Sequence, residues 1–379
     1  MTMGKITLDK RTLFKRTLFV LIISSSFLMF DAHALEFSVF GDTSVGDGSA
    51  DGEELSFGIG ALDFFVTAPI DDKTRVFVEY VFENGGDGLV TDLERLWISR
   101  YISEGFTIAA GRFHSPLGHW NRTYHHGSFM QDTVSRPFFL DFEDGAAGVL
   151  PVHVVGLMGW GEREVGGGAI SFEVALSNGS SINTDEFGLT ATASGKPEIE
   201  INDASDPNGD KSLGIRLRYS SNSIPFKIGG FLNVQEVAES GAGTMSMVMT
   251  GEELLSQTVA GIDFQYRMDA FDLALEFYNF DHESDLSTGE NTGGTAYYFQ
   301  LGWKVDENLK LLFRHEDLSF DDNDVWFNLL GAGEGTRTLL ASRYDLSSTN
   351  TLKFEINLAS PDIGDDETTW TLQWAFMIP

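Results

Sequence analysis

The side chains best equipped for chemistry crowd one stretch of the chain. His114, His119, His125 and His126 fall there among Arg112, Arg122, Arg136, Asp132, Asp141, Glu143 and Asp144, with His153 just beyond. Imidazoles at this density can ligate a transition metal, and a histidine near Ser128 can act as a general base. Either chemistry needs further parts that the sequence lacks. There is no HExxH pair, no GxSxG elbow and no Cys, so zinc hydrolysis, a serine elbow and thiol catalysis have no signature here. The residues therefore point away from an enzyme and from a bound cofactor. The histidines read as hydrogen-bonding groups that hold a loop, alongside Trp120, Arg122 and Tyr124.

A second set of charges is spread over alternating segments. In Leu213 to Tyr219, Leu213, Ile215, Leu217 and Tyr219 share one side, with Gly214, Arg216 and Arg218 on the other. Lys227, Arg267, Lys310, Arg314 and Lys353 recur in the same way opposite apolar partners. If the apolar side meets lipid, an Arg or Lys there would cost about 2–4 kcal/mol at the bilayer midplane, so these seven cations belong on the other, hydrated side. The chemistry they offer is electrostatic. Arg216, Arg218, Lys227 and Arg267 fall on three successive segments as a basic wall, and if the connection carrying Asp132, Asp141, Glu143 and Asp144 lay opposite them, the two would set a transverse field. The plainer alternative pairs the cations with Asp263, Glu276 and Glu355 as ordinary salt bridges.

The elements that would position these charges are strands. Helical spacing is scarce, whereas two-residue alternation recurs to the end of the chain, where Trp370, Leu372, Trp374, Phe376 and Ile378 oppose Thr371, Gln373, Ala375 and Met377. The segment Leu93 to Tyr101 alternates less cleanly. Alternation alone fits a soluble sandwich as well as a barrel, and the connections separate the two. From Leu35 onward fifteen breaks alternate long and short: 115–150 and 178–210 are long, while 220–225 and Asp269-Ala270 are tight. That implies about 16 antiparallel strands, tight turns on one side and extended loops on the other, as in an all-β transmembrane barrel with both termini at the turn side. Trp97, Tyr101, Trp160, Tyr219, Tyr297, Trp303, Trp370 and Trp374 are expected in aromatic girdles at the interfaces.

Composition narrows the function classes further. The 379 residues carry 25 Lys and Arg against 57 Asp and Glu, a formal charge of −32, which repels nucleic acid. With 42% apolar residues the chain is not disordered. At the N-terminus Lys5, Lys10, Arg11, Lys15 and Arg16 precede the apolar run 18–30, and Ala32-His33-Ala34 follows. This is the order of a secretory signal peptide over residues 1–34, leaving 35–379 as the barrel domain.

The strand that opens the long fifth connection closes in Gly111-Arg112-Phe113-His114 and turns through Ser115-Pro116-Leu117-Gly118. A Gly-basic-Phe strand end followed by Pro-x-Gly resembles Gram-negative outer-membrane porins, in particular the phosphate-selective type. The resemblance implies a passive diffusion channel for small hydrophilic solutes or ions, a homotrimer, and a third external loop, 115–150, folded into the lumen as the constriction. The chain departs from that type in lacking a lysine-rich trap and in ending with Met377-Ile378-Pro379 after Phe376. Its acidic loops, among them Asp47, Asp51, Glu53, Glu54, Asp281, Glu283, Asp285, Glu290, Asp317, Asp321, Asp322 and Asp324, are suited to Ca²⁺ or Mg²⁺ bridging to lipopolysaccharide. They also fit a non-transporting barrel that serves as an adhesin or structural anchor, the other class kept open. Asp206-Pro207-Asn208-Gly209-Asp210 starts like a calcium loop, but Lys211 replaces the glycine and Leu217 the closing glutamate, which rejects an EF-hand.

Overall fold

The computed structural model describes residues 35–47, 55–84, 88–124, 127–140, 148–183, 198–202, 204–240, 251–284, 286 and 291–379. The expected signal peptide at 1–34 lies outside them. The strands are β1 (Glu36–Asp47), β2 (Leu55–Asp71), β3 (Thr74–Asn84), β4 (Leu89–Ser103), β5 (Phe106–His114), β6 (His153–Val165), β7 (Gly168–Asn178), β8 (Ser181–Asn183), β9 (Glu198–Glu200), β10 (Lys211–Ser221), β11 (Phe226–Glu239), β12 (Glu253–Arg267), β13 (Phe271–Ser284), β14 (Thr292–Lys304), β15 (Leu309–Phe320), β16 (Gly335–Ser347), β17 (Asn350–Pro361) and β18 (Glu367–Ile378). Two short helices, α1 (Trp120–Tyr124) and α2 (Val325–Leu330), lie in connections.

Each long strand pairs antiparallel with its neighbours, β7 passes directly to β10, and β1 pairs with β18 in the register Val39 to Ile378 through Gly46 to Thr371. That last pairing closes a barrel of 16 antiparallel strands, since β8 and β9 form a small hairpin within the 179–210 connection. Closure leaves no free edge, which is the condition for β-structure in a bilayer. Alternation assigns the two faces. Leu217, Ile228, Ile262, Leu301, Trp303, Leu340, Leu372 and Trp374 are exposed on the outside, while Arg216, Asp263, Glu276, Arg314, Glu316, Lys353 and Glu355 are buried on the inside. Among the described residues no helix is long and apolar enough to cross a membrane.

The aromatic girdle expectation requires correction at two positions. Trp97 and Trp160 face inward, 6.0 Å apart between ring centroids, packed against a buried cluster of Phe113, Val154, Met158 and Ala175. Their strands alternate poorly because both faces are apolar there: Leu96, Ile98 and Leu157 are exposed outside while Trp97 and Met158 pack inside. Trp303 and Trp374 do lie on the exposed outer face.

A second core fills part of the barrel nearer the long loops. Leu117, Trp120, Phe139, Leu140, Val149 and Leu150 from the long connection meet Phe231, Val259, Tyr278, Phe280, Tyr298 and Leu318 from the wall. Helix α2 closes over them. Asp324 caps it by accepting from the Phe327 amide, Gly331 ends it at φ 66°, and the Trp326 Nε1 donates to the Val149 carbonyl at 3.0 Å.

Candidate functional site in the barrel lumen

The segment between β5 and β6 is irregular, so its backbone groups need partners that no strand ladder supplies. Inward carboxylates of the wall take its amides. Glu276 on β13 accepts from the His119 amide (2.9 Å), the Trp120 amide (2.7 Å) and the Tyr278 and Tyr298 hydroxyls (2.6 Å each). Glu355 on β17 accepts from the Val134 amide at 2.8 Å and the Ser135 hydroxyl at 2.5 Å, and Glu316 on β15 accepts from the Phe138 amide at 2.7 Å. From β2, Asp63 accepts from the Gly127 amide at 3.0 Å.

Wall cations take the carbonyls of the same segment. Lys353 donates to the Ser128 and Thr133 carbonyls, Arg343 to those of Phe129 (2.8 Å) and Gln131 (3.0 Å), and Arg337 to that of Arg136. Arg314 is fully buried. It donates to the Thr133 hydroxyl (2.9 Å) and the Ser135 carbonyl (3.1 Å), pairs with Glu316, and lies 5.2 Å from the Trp120 ring centroid. The expectation set basic wall residues against acidic side chains of this segment. Among the described residues, which leave out Asp141, Glu143 and Asp144, the wall's contacts run mostly to the backbone of the segment, and acids of the wall contribute as much as bases.

Asp132, the described one of the four acids expected on this segment, meets a wall cation outside the expected set. Asp132 lies 2.6 Å from the Lys310 ammonium, which also holds Asp272 at 2.5 Å. Arg122 in α1 pairs with Glu173 at 2.9 Å and donates to the His114 carbonyl at 3.3 Å. Arg136 is buried. Arg112 belongs to β5 rather than to the connection, with its Nε donating to the Glu94 carbonyl at 3.1 Å. His125, His126, Asp141, Glu143 and Asp144 lie outside the described residues, as do the acidic loop positions Asp51, Glu53, Glu54, Asp285 and Glu290. In the rejected calcium loop the Lys211 ammonium sits 2.6 Å from Asp206. Among the described residues no group of three or more His, Asp or Glu is arranged to hold a metal.

Below the segment, in the half nearer the short turns, a cavity of about 400 Å³ remains. Arg218, Lys227, Arg267, Asp132 and Asp272 line it, with Gln265, Gln300, Tyr124 and Tyr298 between them. Arg216, by contrast, is buried against Asp263 at 2.8 Å. His119 also borders the cavity, and its Nδ1 lies 2.8 Å from the Thr123 hydroxyl. Burial first, and then the charge of Arg218, hold its imidazole down at about 3, so it is neutral at pH 7. Three cations therefore face two carboxylates there. Sequence reading missed Arg337, Arg343 and Asp63. In β16 the two arginines alternate with Thr338, Ser342 and Tyr344 on the outer face, which blurs the apolar side that would have marked them.

No family profile and no curated protein matches this chain. Among solved structures it is similar to the outer-membrane channel DcaP of Acinetobacter baumannii, with a TM-score of 0.58 and 10% identity over 91% of this chain and 97% of that one. An anion-selective porin from Comamonas acidovorans gives a TM-score of 0.56 and 14% identity over 91% of this chain and 98% of that one. OmpF of Salmonella typhi, in complex with daunomycin, gives 0.56 and 8% over 91% and 97%. At these identities the shared property is the fold: a closed 16-stranded antiparallel barrel of the porin kind.

Proposed function

We propose that the chain is an outer-membrane porin of a Gram-negative bacterium, a passive and non-enzymatic channel for small hydrophilic solutes or ions, with segment 115–150 as its constriction. The observation that carries this reading is the pair of faces on the strands. Apolar side chains such as Leu217, Ile262 and Trp374 cover the outside, while ionised groups and a cavity of about 400 Å³ occupy the inside. The folds of known porins support it. His119, Arg122, Asp132 and Arg136 are read as constriction residues. Arg218, Lys227 and Arg267 are read as the basic lining of the pore, with Lys310 beside Asp132 and Asp272 at its margin, whereas Arg216, Arg314 and Lys353, expected in that lining, are buried in contacts of the wall and the segment.

The excess of cations around the cavity favours anions, which extends the reading toward the phosphate-selective type. A homotrimer, and divalent cations bridging acidic loops to lipopolysaccharide, belong to the same proposal. Purified protein in a planar bilayer under a KCl gradient tests it. Stepwise conductance with a reversal potential of the anion-selective sign is expected. Silence at every applied voltage would leave the non-transporting anchor or adhesin as the reading.

A further inference from the structure

Opposite the cationic cavity, the inner face carries something a water-filled lumen does not need. Phe40 on β1, Phe65 on β2, Phe77 on β3, Trp97 on β4 and Trp160 on β6 form one continuous arc, with successive ring centroids 4.9, 5.8, 5.2 and 6.0 Å apart. Phe77 and Trp97 are stacked at 18°. The Arg95 guanidinium lies 4.6 Å from the Phe77 centroid and pairs with Glu79. Phe65, Phe77, Trp97 and Trp160 are half-buried and present ring surface to the lumen. All lie in the half nearer the short turns, as the cavity does. Strands β10, β11 and β12 carry the cavity's cations, and the closed strand order sets them well around the barrel from β2, β3 and β4, which carry Phe65, Phe77 and Trp97.

A contiguous apolar patch on a wet surface marks a contact site, and aromatic faces bind planar π-systems in preference to saturated rings of the same size. The opposite arc excludes cations by its charge. Resting on the pore reading above, we propose that the lumen selects planar aromatic anions: rings adsorb along Phe65, Phe77, Trp97 and Trp160 while Arg218, Lys227 and Arg267 hold the potential positive. Neither wall alone gives this preference. Charge alone would admit any small carboxylate equally.

Bi-ionic reversal potentials in planar bilayers test the proposal with benzoate, cyclohexanecarboxylate and benzylammonium as probes, each measured against KCl. Benzoate should permeate several-fold better than cyclohexanecarboxylate, which shares its charge and size but lacks the π-face, and better than benzylammonium. Trp97→Leu combined with Trp160→Leu should bring the benzoate to cyclohexanecarboxylate ratio close to one. Should that pair fail to assemble, judged by heat-modifiable mobility, Phe65→Leu tests the same arc and should lower the ratio. Arg218→Gln with Lys227→Gln should raise benzylammonium relative to benzoate. KCl conduction with equal benzoate and cyclohexanecarboxylate permeability in the unsubstituted protein, or a ratio that the leucine variants leave unchanged, overturns the aromatic filter while the pore survives. Equal benzoate and benzylammonium permeability overturns its cationic half. Absence of KCl conduction defeats the pore reading itself.

Discussion

The two arcs of the inner wall solve different problems with the same strand geometry. Across β10 to β17, carboxylates and cations hold the backbone of segment 115–150: Glu276, Glu316 and Glu355 accept from its amides, and Arg343 and Lys353 donate to its carbonyls. Across β1 to β6 rings take much of the wall and cannot satisfy peptide groups, although Asp63 on β2 accepts from the Gly127 amide. An irregular chain inside a barrel settles where polar partners await it, because each buried peptide group left unmet costs about 1–3 kcal/mol. The difference shows how a constriction is aimed. The charged arc draws the segment to itself, and the aromatic arc stays clear of most of its backbone and keeps its ring surface toward the lumen.

The most severe way to break this division is to remove Glu276. Glu276→Ala leaves two amides and two phenol hydroxyls without their acceptor at a fully buried site. At about 1–3 kcal/mol for each orphaned donor, the start of the segment should come away from the wall. Single-channel conductance should rise severalfold, with loss of the heat-resistant folded band on SDS gels at a lower temperature. Conductance equal to the parent's would mean that these bonds do not position the segment. Gly118→Ala strikes the same place sterically. Gly118 has φ +70°, and a Cβ would fall 2.0 Å from the Tyr278 hydroxyl oxygen and 2.2 Å from Glu276 Oε2. Its effect on conductance should run in the same direction.

A milder test sits at the far end of the segment. Glu355→Gln keeps the shape but replaces a carboxylate that accepts from the Val134 and Ser135 amides and the Ser135 hydroxyl. Charge-assisted bonds are about twice as strong as neutral ones, so a loss of about 1–3 kcal/mol is expected. It should appear as added current noise with little change in mean conductance, and an unaltered noise spectrum would count against it. On the cavity side, Arg218→Gln with Lys227→Gln lowers the local balance from three cations against two carboxylates to one against two. The KCl reversal potential should move toward cation preference by several millivolts. No movement would show that the field is set elsewhere.

The same contrast explains which parts of the chain could be read from residues alone. Alternation was plain in Leu213 to Tyr219 and in β17 because a charged inner face stands out against an apolar outer one. It failed in β4 and β6, where Trp97 and Met158 line the inside and Leu96 and Leu157 the outside, so an apolar residue no longer reports a side. Strand number and closure followed from connection lengths, which depend on topology rather than on facing. The seven cations of the alternating segments were legible because each interrupts an apolar alternation. The partners of Glu276 and Glu355 were not, since backbone amides of a distant segment leave no mark in the residue types.

The smallest effect concerns His119, where the segment meets the charged arc. Burial and then the Arg218 charge lower its imidazole to about 3 from an ordinary 6.5, with Arg216 and Lys227 acting the same way and Asp263 opposing them. A released segment would titrate near the ordinary value and take up a proton that the docked one refuses. The docked state's advantage from this group is therefore complete above pH 6.5 and is lost progressively as pH falls toward 3. Between pH 6.5 and 4.5 the amides of residues 119–124 should exchange faster, and channel noise should grow. His119→Gln cannot titrate, so it should flatten that dependence while keeping a polar group beside the Thr123 hydroxyl. A pH profile identical in the two proteins would place the acid sensitivity on the wall carboxylates instead.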